Sequence, residues 1–274
     1  MFPIIDNHIH IDLHGRGITA IKEFQRVGGT HVVLVSKPSF KKIITKPEDY
    51  REVFSETLKI AKEIKQIGVV VYPVLGVHPT DISKLMQYYP IDKSKEIMIK
   101  GLKIAREFVL EGEAYGIKTG LPHYPVKEDV LSASKEIMEY GMKISKEIDC
   151  AVQLHTSSDE NDLVEISTIA KKLSLNSNKV IKHFAPPLVN TCNKLGIFPS
   201  VIASKDGILK ALREGTRFMM ETDYIDDPNR PGAVLGPKTV PRRTKKLIET
   251  FGEDIFWIIH KENPEKVYNI EIEF

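Results

Sequence analysis

The sequence predicts an α/β chain folded as one (β/α)8 barrel spanning residues 1–274. Three observations predict it. Eight short apolar runs alternate with longer amphipathic ones, no repeat or Pro/Gly/Ser-rich linker divides the chain, and its 274 residues suit a barrel, typically about 250 residues long. The first strand-like run, residues 3–8, opens on Pro3, Ile4 and Ile5; an amphipathic helix at 18–27 follows and stops at Gly28 and Gly29. Residues 31–36 carry Val32, Val33, Leu34 and Val35 without alternation, as a strand buried on both faces should. A helix at 49–67 leads to the β-branched run 69–75, and a helix at 93–110 leads to the shorter run 114–118. The pattern continues with a helix at 127–148, a strand at 151–155, a helix at 160–173 and a strand at 179–183. A short helix at 190–195, a strand at 198–202, a helix at 205–214 closed by Gly215, and a strand at 217–222 come next. Helices at 241–251 and 254–261 end the reading.

Composition narrows the function classes. The chain is 42% hydrophobic and 28% charged, with 39 basic against 37 acidic residues for a formal net charge of +2. No long single-sign block stands out, so there is no strong electrostatic signature for duplex DNA binding, although a local basic patch is compatible with this balance. Cys150 and Cys192 lie in no C-x-x-C pattern, which argues against a disulfide framework and for a reducing, cytoplasmic setting. The start reaches Asp6 and His8 before an apolar leader can form, and no apolar run approaches about 18 residues, so no membrane association is expected.

A barrel of this kind gathers its chemistry at the C-terminal ends of its strands. Polar residues close five of the apolar runs: His8 and His10 the first, Lys118 the fourth, His155 the fifth, His183 the sixth and Asp223 the eighth. His8 and His10 are two apart, so on a strand they share a face. Neutral imidazoles so placed suit a divalent metal such as zinc, and manganese, nickel or iron are also compatible with histidine and carboxylate donors. The ordinary alternative for any one of these is a polar residue at a strand end.

The motif Ile5-Asp6-Asn7-His8-Ile9-His10, with Gly76-Val77-His78-Pro79 and Glu221-Thr222-Asp223, resembles the amidohydrolase superfamily and within it the TatD-related deoxyribonuclease branch. The closing Asn263-Pro264-Glu265-Lys266-Val267-Tyr268 looks like that branch's final helix. The resemblance covers essentially the whole chain. It implies one or two divalent metals, with His8 and His10 on one, His155 and His183 on the other, and Asp223 on metal and nucleophilic water.

One position departs from the branch, where a glutamate usually ends the fourth strand and bridges the metals. Here Lys118 stands at that place, and a protonated lysine beside two cations is electrostatically untenable. Gly116-Ile117-Lys118 and Leu154-His155-Thr156 are similar to the phosphotriesterase-like branch, whose lysine is carbamylated into a bridging carboxylate. The alternatives are an ordinary lysine with Glu111 or Glu113 as the carboxylate, and a site holding one metal.

His78 either holds a substrate oxygen or packs its loop, and His123 either reaches the pocket or stays on a surface loop. Arg230, in a long loop from 223 to 242, either binds a phosphate or carboxylate bidentately or remains at the surface. His14 reads as solvated, His31 as structural at the barrel's bottom, and Lys182 as packing between strand and helix. The resulting expectation is a metal-dependent hydrolase with Asp223 as catalytic acid and base, acting on a small molecule or a nucleic-acid end. Phosphoesters, DNA among them, come first. An ester, lactone or amide hydrolase and a barrel that binds metal without turnover are the alternatives.

Overall fold

The computed structural model describes residues 2–37 and 42–273. Nine parallel strands form one sheet: β1 (Ile5–His10), β2 (His31–Val35), β3 (Val70–Gly76), β4 (Gly116–Gly120), β5 (Ala151–His155), β6 (Val180–Ala185), β7 (Phe198–Ile202), β8 (Met219–Glu221) and β9 (Tyr224–Ile225). Their order is β8-β7-β6-β5-β4-β3-β2-β1-β9. Only Thr222 and Asp223 separate β8 from β9, so the two ends of that order are successive pieces of one eighth strand. The lower piece pairs with β7 and the upper with β1, which closes the sheet into the predicted barrel.

The helices are α1 (Ile18–Arg26), α2 (Pro47–Gln66), α3 (Thr80–Leu85), α4 (Ile91–Leu110), α5 (Glu128–Ile148), α6 (Glu160–Lys172), α7 (Val189–Lys194), α8 (Lys205–Glu214), α9 (Thr239–Phe251), α10 (Glu253–Trp257) and α11 (Asn263–Tyr268). A π-helical turn, Ile258–Glu262, joins the last two. Helix α2 shows why they pack as they do. Its buried Tyr50, Val53, Phe54, Thr57, Leu58, Ala61 and Ile64 recur every three or four residues, which makes one apolar stripe. Gly101 on α4 gives Tyr50 room, since a Cβ there would lie 2.5 Å from its ring. Gly76 serves the sheet likewise, because a Cβ would sit 1.9 Å from the Lys118 carbonyl oxygen.

Inside the barrel, Ile5, Val33, Val35, Tyr72, Val74, Ile181, Phe198 and Met219 pack against Val267 and Tyr268 of α11. The final helix therefore plugs the end of the barrel opposite the strand C-termini. The eighth loop is shorter than its sequence suggested, because β9 and the first turn of α9 take up part of 223–242. Helix α3 was not expected; it has few apolar positions, with Ile82 and Leu85 buried.

Three strands are irregular where the candidate ligands sit. Between Asp6 and Ile9, β1 uses one residue more than β2, so Asn7 and His8 together face Val33. Between Lys182 and Ala185, β6 does the same against β7, so His183 and Phe184 face Ser200, and Phe184 takes φ 50°. The eighth strand breaks at Asp223, with φ 47°. Bulges re-aim side chains, and Asp tolerates this left-handed backbone better than most residues.

Buried His260 gives a test of the scaffold away from these strands. Its Nδ1 accepts from the Ile5 N–H at 3.2 Å and its Nε2 faces the Thr244 hydroxyl at 2.8 Å. Burial pushes it down to about 3. The unfolded chain takes up a proton near pH 6.5 that the folded chain refuses, so stability falls as pH drops from about 6.5 towards 3. From pH 7 to pH 5 this site alone costs about 2 kcal/mol. His260→Asn keeps the acceptor for Ile5 and should reduce that acid-side loss in paired urea titrations at the two pH values.

Candidate metal centre

Three histidines are fixed by acceptors behind them. His8 Nδ1 faces Gln153 Oε1 at 2.5 Å, His10 Nδ1 faces the Val35 carbonyl at 2.8 Å, and His183 Nδ1 faces Glu221 Oε1 at 2.8 Å. Each acceptor requires a proton on Nδ1, which leaves Nε2 of all three rings as a lone pair. Those lone pairs converge. His8 and His10 Nε2 are 3.1 Å apart, Asp223 Oδ1 is 3.8 Å from both, and the His8 and His183 rings stack at 3.8 Å between centroids. Ligand atoms of His8, His183 and Asp223 all fall within 4.8 Å of one another.

His155 extends the cluster, its Nδ1 3.1 Å from His183 Nε2 and its Nε2 2.8 Å from His123 Nδ1. His78 tilts over His155 at 4.6 Å. Burial first, then the Lys118 cation, holds His8 and His10 well below the ordinary histidine range; burial is also the main cause at His78, His155 and His183. They are therefore neutral at pH 7. Electron pairs packed this closely, without protons between His8 and His10, are what a divalent cation requires.

Asp223 owes its direction to Asp6. The Asp6 carboxylate accepts from Thr222 N at 3.0 Å and Thr222 Oγ1 at 2.6 Å, and the hydroxyl accepts from Tyr224 N at 3.1 Å. This clasp breaks the eighth strand and turns Asp223 into the mouth. Burial raises Asp6 to about 7, against the pull of its hydrogen bonds, and raises Asp223 to about 6, against the pull of Lys118 and Lys182.

Lys118 does not close its strand. It sits mid-way along β4, fully buried, with Nζ 3.0 Å from His8 Nε2. Burial lowers it to about 8, opposed by Asp223, Glu221 and Asp81. Glu111 and Glu113 are exposed on the α4–β4 connection, at the other end of the strand, and supply no carboxylate here.

Among the weaker candidates, the structure brings His78 and His123 to the cluster and leaves Arg230 outside it. Arg230 Nε donates to Asp227 Oδ2 at 2.8 Å, and its side chain is 61% exposed on the rim. His14 is exposed, and His31 is buried in a stack with Tyr72. Lys182, read as strand–helix packing, instead places its ammonium on the carbonyls of Thr156, His183 and Phe184, where it clamps the β6 bulge.

The sequence reading gave no role to a set of polar groups beneath the ligands. Gln153 Nε2 donates to the Tyr268 hydroxyl at 2.7 Å, that hydroxyl donates to Asn7 Oδ1 at 2.8 Å, and Asn7 Nδ2 donates to Ser200 Oγ at 2.8 Å. Ser200 Oγ in turn donates to Glu221 Oε2. Two of these neighbour ligands on their own strands: Asn7 precedes His8, and Gln153 lies two before His155. That spacing was the available signal.

A profile of the family described as TatD related DNase matches residues 5–269. An uncharacterized protein of Methanocaldococcus jannaschii is 41% identical over 281 residues, covering 99% of this chain and 97% of that protein. Among solved structures, the TatD homologue YJJV of Escherichia coli superposes with a TM-score of 0.67 at 16% identity, covering 97% of this chain and 98% of the other. The lactonase Lmo2620 of Listeria monocytogenes gives 0.61 at 14%, covering 97% and 94%. The phosphotriesterase homology protein of Escherichia coli, complexed with phosphate in its active site, gives 0.58 at 13%, covering 97% and 98%. No helix among the described residues is long and apolar enough to cross a membrane. With its barrel, its cluster of metal-ligating side chains and a family match over nearly its whole length, this chain belongs to the TatD related DNase family and is a metal-dependent hydrolase.

Proposed function

We propose that this protein hydrolyses phosphodiester bonds in single-stranded DNA at a centre held by His8, His10, His155, His183 and Asp223. The observation that carries the reading is the convergence of the His8 and His10 lone pairs on Asp223 Oδ1. The family's description as a DNase and the phosphate bound by the phosphotriesterase homology protein support a phosphoryl substrate. Zinc fits the histidine-rich donor set, and one or two divalent ions fit its extent. A cytoplasmic location and the absence of a membrane partner remain part of this reading.

A divalent metal held by His8, His10, His183 and Asp223 would supply a water of lowered pKa and withdraw charge from the scissile phosphoryl group. Asp223 takes the proton of the attacking water on its carboxylate and returns it to the leaving oxygen, a role suited to a buried carboxyl turned into the mouth beside His8 and His10. Neutral His8, His10 and His183 donate from Nε2 because Gln153, Val35 and Glu221 hold their Nδ1 protons. His78 and His123, which flank His155, would contact substrate oxygens, and Arg230 on the rim would meet a more distant phosphate.

Lys118 supports a second reading. An amine at about 8, 3.0 Å from His8 Nε2, is deprotonated often enough to add carbon dioxide, which forms an N–C bond and releases one proton. The resulting carbamate would provide a bridging carboxylate on the fourth strand, where this chain has no glutamate, and this reading fits the phosphotriesterase-like and lactonase barrels that share the fold. Purified protein assayed on single-stranded DNA, a lactone and an aryl ester, with and without chelator, separates the two. Metal-dependent release of nucleotides supports the first; lactone or ester turnover without it overturns the DNA reading.

A further inference from the structure

We infer that Tyr268, on the helix that plugs the far end of the barrel, is a positioning residue for the metal centre. Its hydroxyl is the junction of one unbroken buried chain running from His8 through Gln153, Tyr268, Asn7, Ser200 and Glu221 to His183. Direction is fixed at both ends. His8 Nδ1 donates to Gln153, whose amide donates to Tyr268, whose hydroxyl donates to Asn7, whose amide donates to Ser200, whose hydroxyl donates to Glu221. His183 Nδ1 donates to the other oxygen of the same carboxylate. The Asn7 carbonyl also accepts from Gln153 Nε2 at 3.2 Å, which turns the Gln153 oxygen to His8 Nδ1, and Glu221 Oε1, which takes the Phe184 N–H at 2.9 Å as well, is the acceptor of His183 Nδ1. The chain thus sets the tautomer of two ligands on different strands at once, and Tyr268 is the member supplied from outside the sheet.

This inference rests on His8 and His183 being ligands. Tyr268→Phe removes one oxygen and leaves the ring in the plug. The expected result, by competition of cobalt(II) or zinc(II) against a chromophoric chelator, is a loss of affinity of about 3–10-fold, below the ~10–100-fold for removing a direct outer partner of a ligand because Tyr268 acts through Gln153 and Asn7. The cobalt absorption spectrum should change with it. Tyr72→Phe, in the same apolar cluster but outside the chain, is the control for loss of a buried hydroxyl and should leave both readouts alone. Ser200→Ala, which cuts the chain near Glu221, should act in the same direction as Tyr268→Phe and replaces it if that variant fails to fold. Wild-type affinity and spectrum in Tyr268→Phe overturn the inference. If His8→Ala and His183→Ala also bind metal like wild type, the ligand assignment falls with it; if they lose it, only the role of Tyr268 falls.

Residues 236–246 carry five cations, Lys238, Arg242, Arg243, Lys245 and Lys246, and no acid. Gly236, Lys238, Thr239, Arg242, Arg243 and Lys246 line a concavity of about 290 Å³. Among the described residues Arg242, Arg243 and Lys246 pair with no carboxylate, while Lys238 meets Glu23 at 3.4 Å. Helix α9 follows the loop that leaves the C-terminal end of the eighth strand, and Arg243 Nε donates to the Ala203 carbonyl just past β7, so the groove lies on the side of the barrel where the strands end. The geometry points to a track for the phosphate backbone of a single DNA strand whose scissile bond lies in the recessed metal centre. This rests on the phosphodiester reading. Each phosphate neutralised on a single strand adds about 0.7 to the salt slope of binding, so R242E/K246E should lower that slope by about 1.4 for a labelled oligothymidylate. Affinity should fall at least tenfold, with hydrolysis of bis(p-nitrophenyl) phosphate unchanged. Unchanged affinity and slope in a variant whose wild type cleaves DNA overturn the track alone. A wild type that neither binds nor cleaves the oligonucleotide overturns both track and reading.

Discussion

Asp223→Asn is expected to lower kcat on single-stranded DNA by ~10²–10⁴, the range for removing a positioned acid–base group. The fold should survive. Asp223 makes no hydrogen bond that Asn loses; its near neighbours are the neutral rings of His8 and His10, each at 3.8 Å. Its carboxyl is raised to about 6, above the ordinary value of 3.8. Metal-free wild type therefore loses stability as pH rises from about 4 through about 6, where a buried carboxylate must ionise, and the Asn variant escapes that loss. Denaturation of both proteins without metal, at pH 5 and pH 8, should show the variant no less stable than wild type at the higher pH. An active variant removes Asp223 from the chemistry, whereas an inactive and unfolded one moves the defect to the scaffold.

The second large effect is expected at Lys118. If its carbamate bridges two ions, Lys118→Ala should lower bound metal from two equivalents towards one and reduce turnover by ~100-fold, with partial recovery on adding a short-chain carboxylate. Bicarbonate should raise the metal content of wild type and leave the variant unaffected. A variant with full metal content and full activity contradicts a bridging role. The cationic amine would then be a donor to His8 Nε2 in the metal-free protein only.

Much of this molecule is legible in its sequence because burial writes a simple pattern. Parallel strands covered on both faces read as continuous apolar runs, and β5 and β7 are found at the predicted residues, Ala151–His155 and Phe198–Ile202. The histidines and Asp223 were legible as polar residues closing such runs. What the pattern misses is irregularity. Alternation along β1 places His8 and His10 on one face but gives no sign that Asn7 also turns inward, because that depends on a bulge against β2. The same holds for the bulge at His183, where Lys182 grips backbone carbonyls, and for the break at Asp223, where Asp6 on the adjacent strand grips the amide and hydroxyl of Thr222. Ala114 and Tyr115 look like strand and so put Lys118 at a strand end, whereas pairing begins at Gly116, which sets the lysine in the barrel's interior. Tyr268 is 261 residues from Asn7, and no local pattern announces that the two share a hydrogen bond.

The central claim is that the converging lone pairs of His8, His10 and His183, with Asp223, form the metal centre at which this hydrolase works. Titrating metal back into chelator-stripped wild-type protein tests it most directly, following cleavage of single-stranded DNA and bound metal together. The account predicts no cleavage in the stripped protein and recovery that saturates at one or two equivalents per chain. Cleavage undiminished in stripped protein, or recovery that tracks no stoichiometric binding, would contradict it.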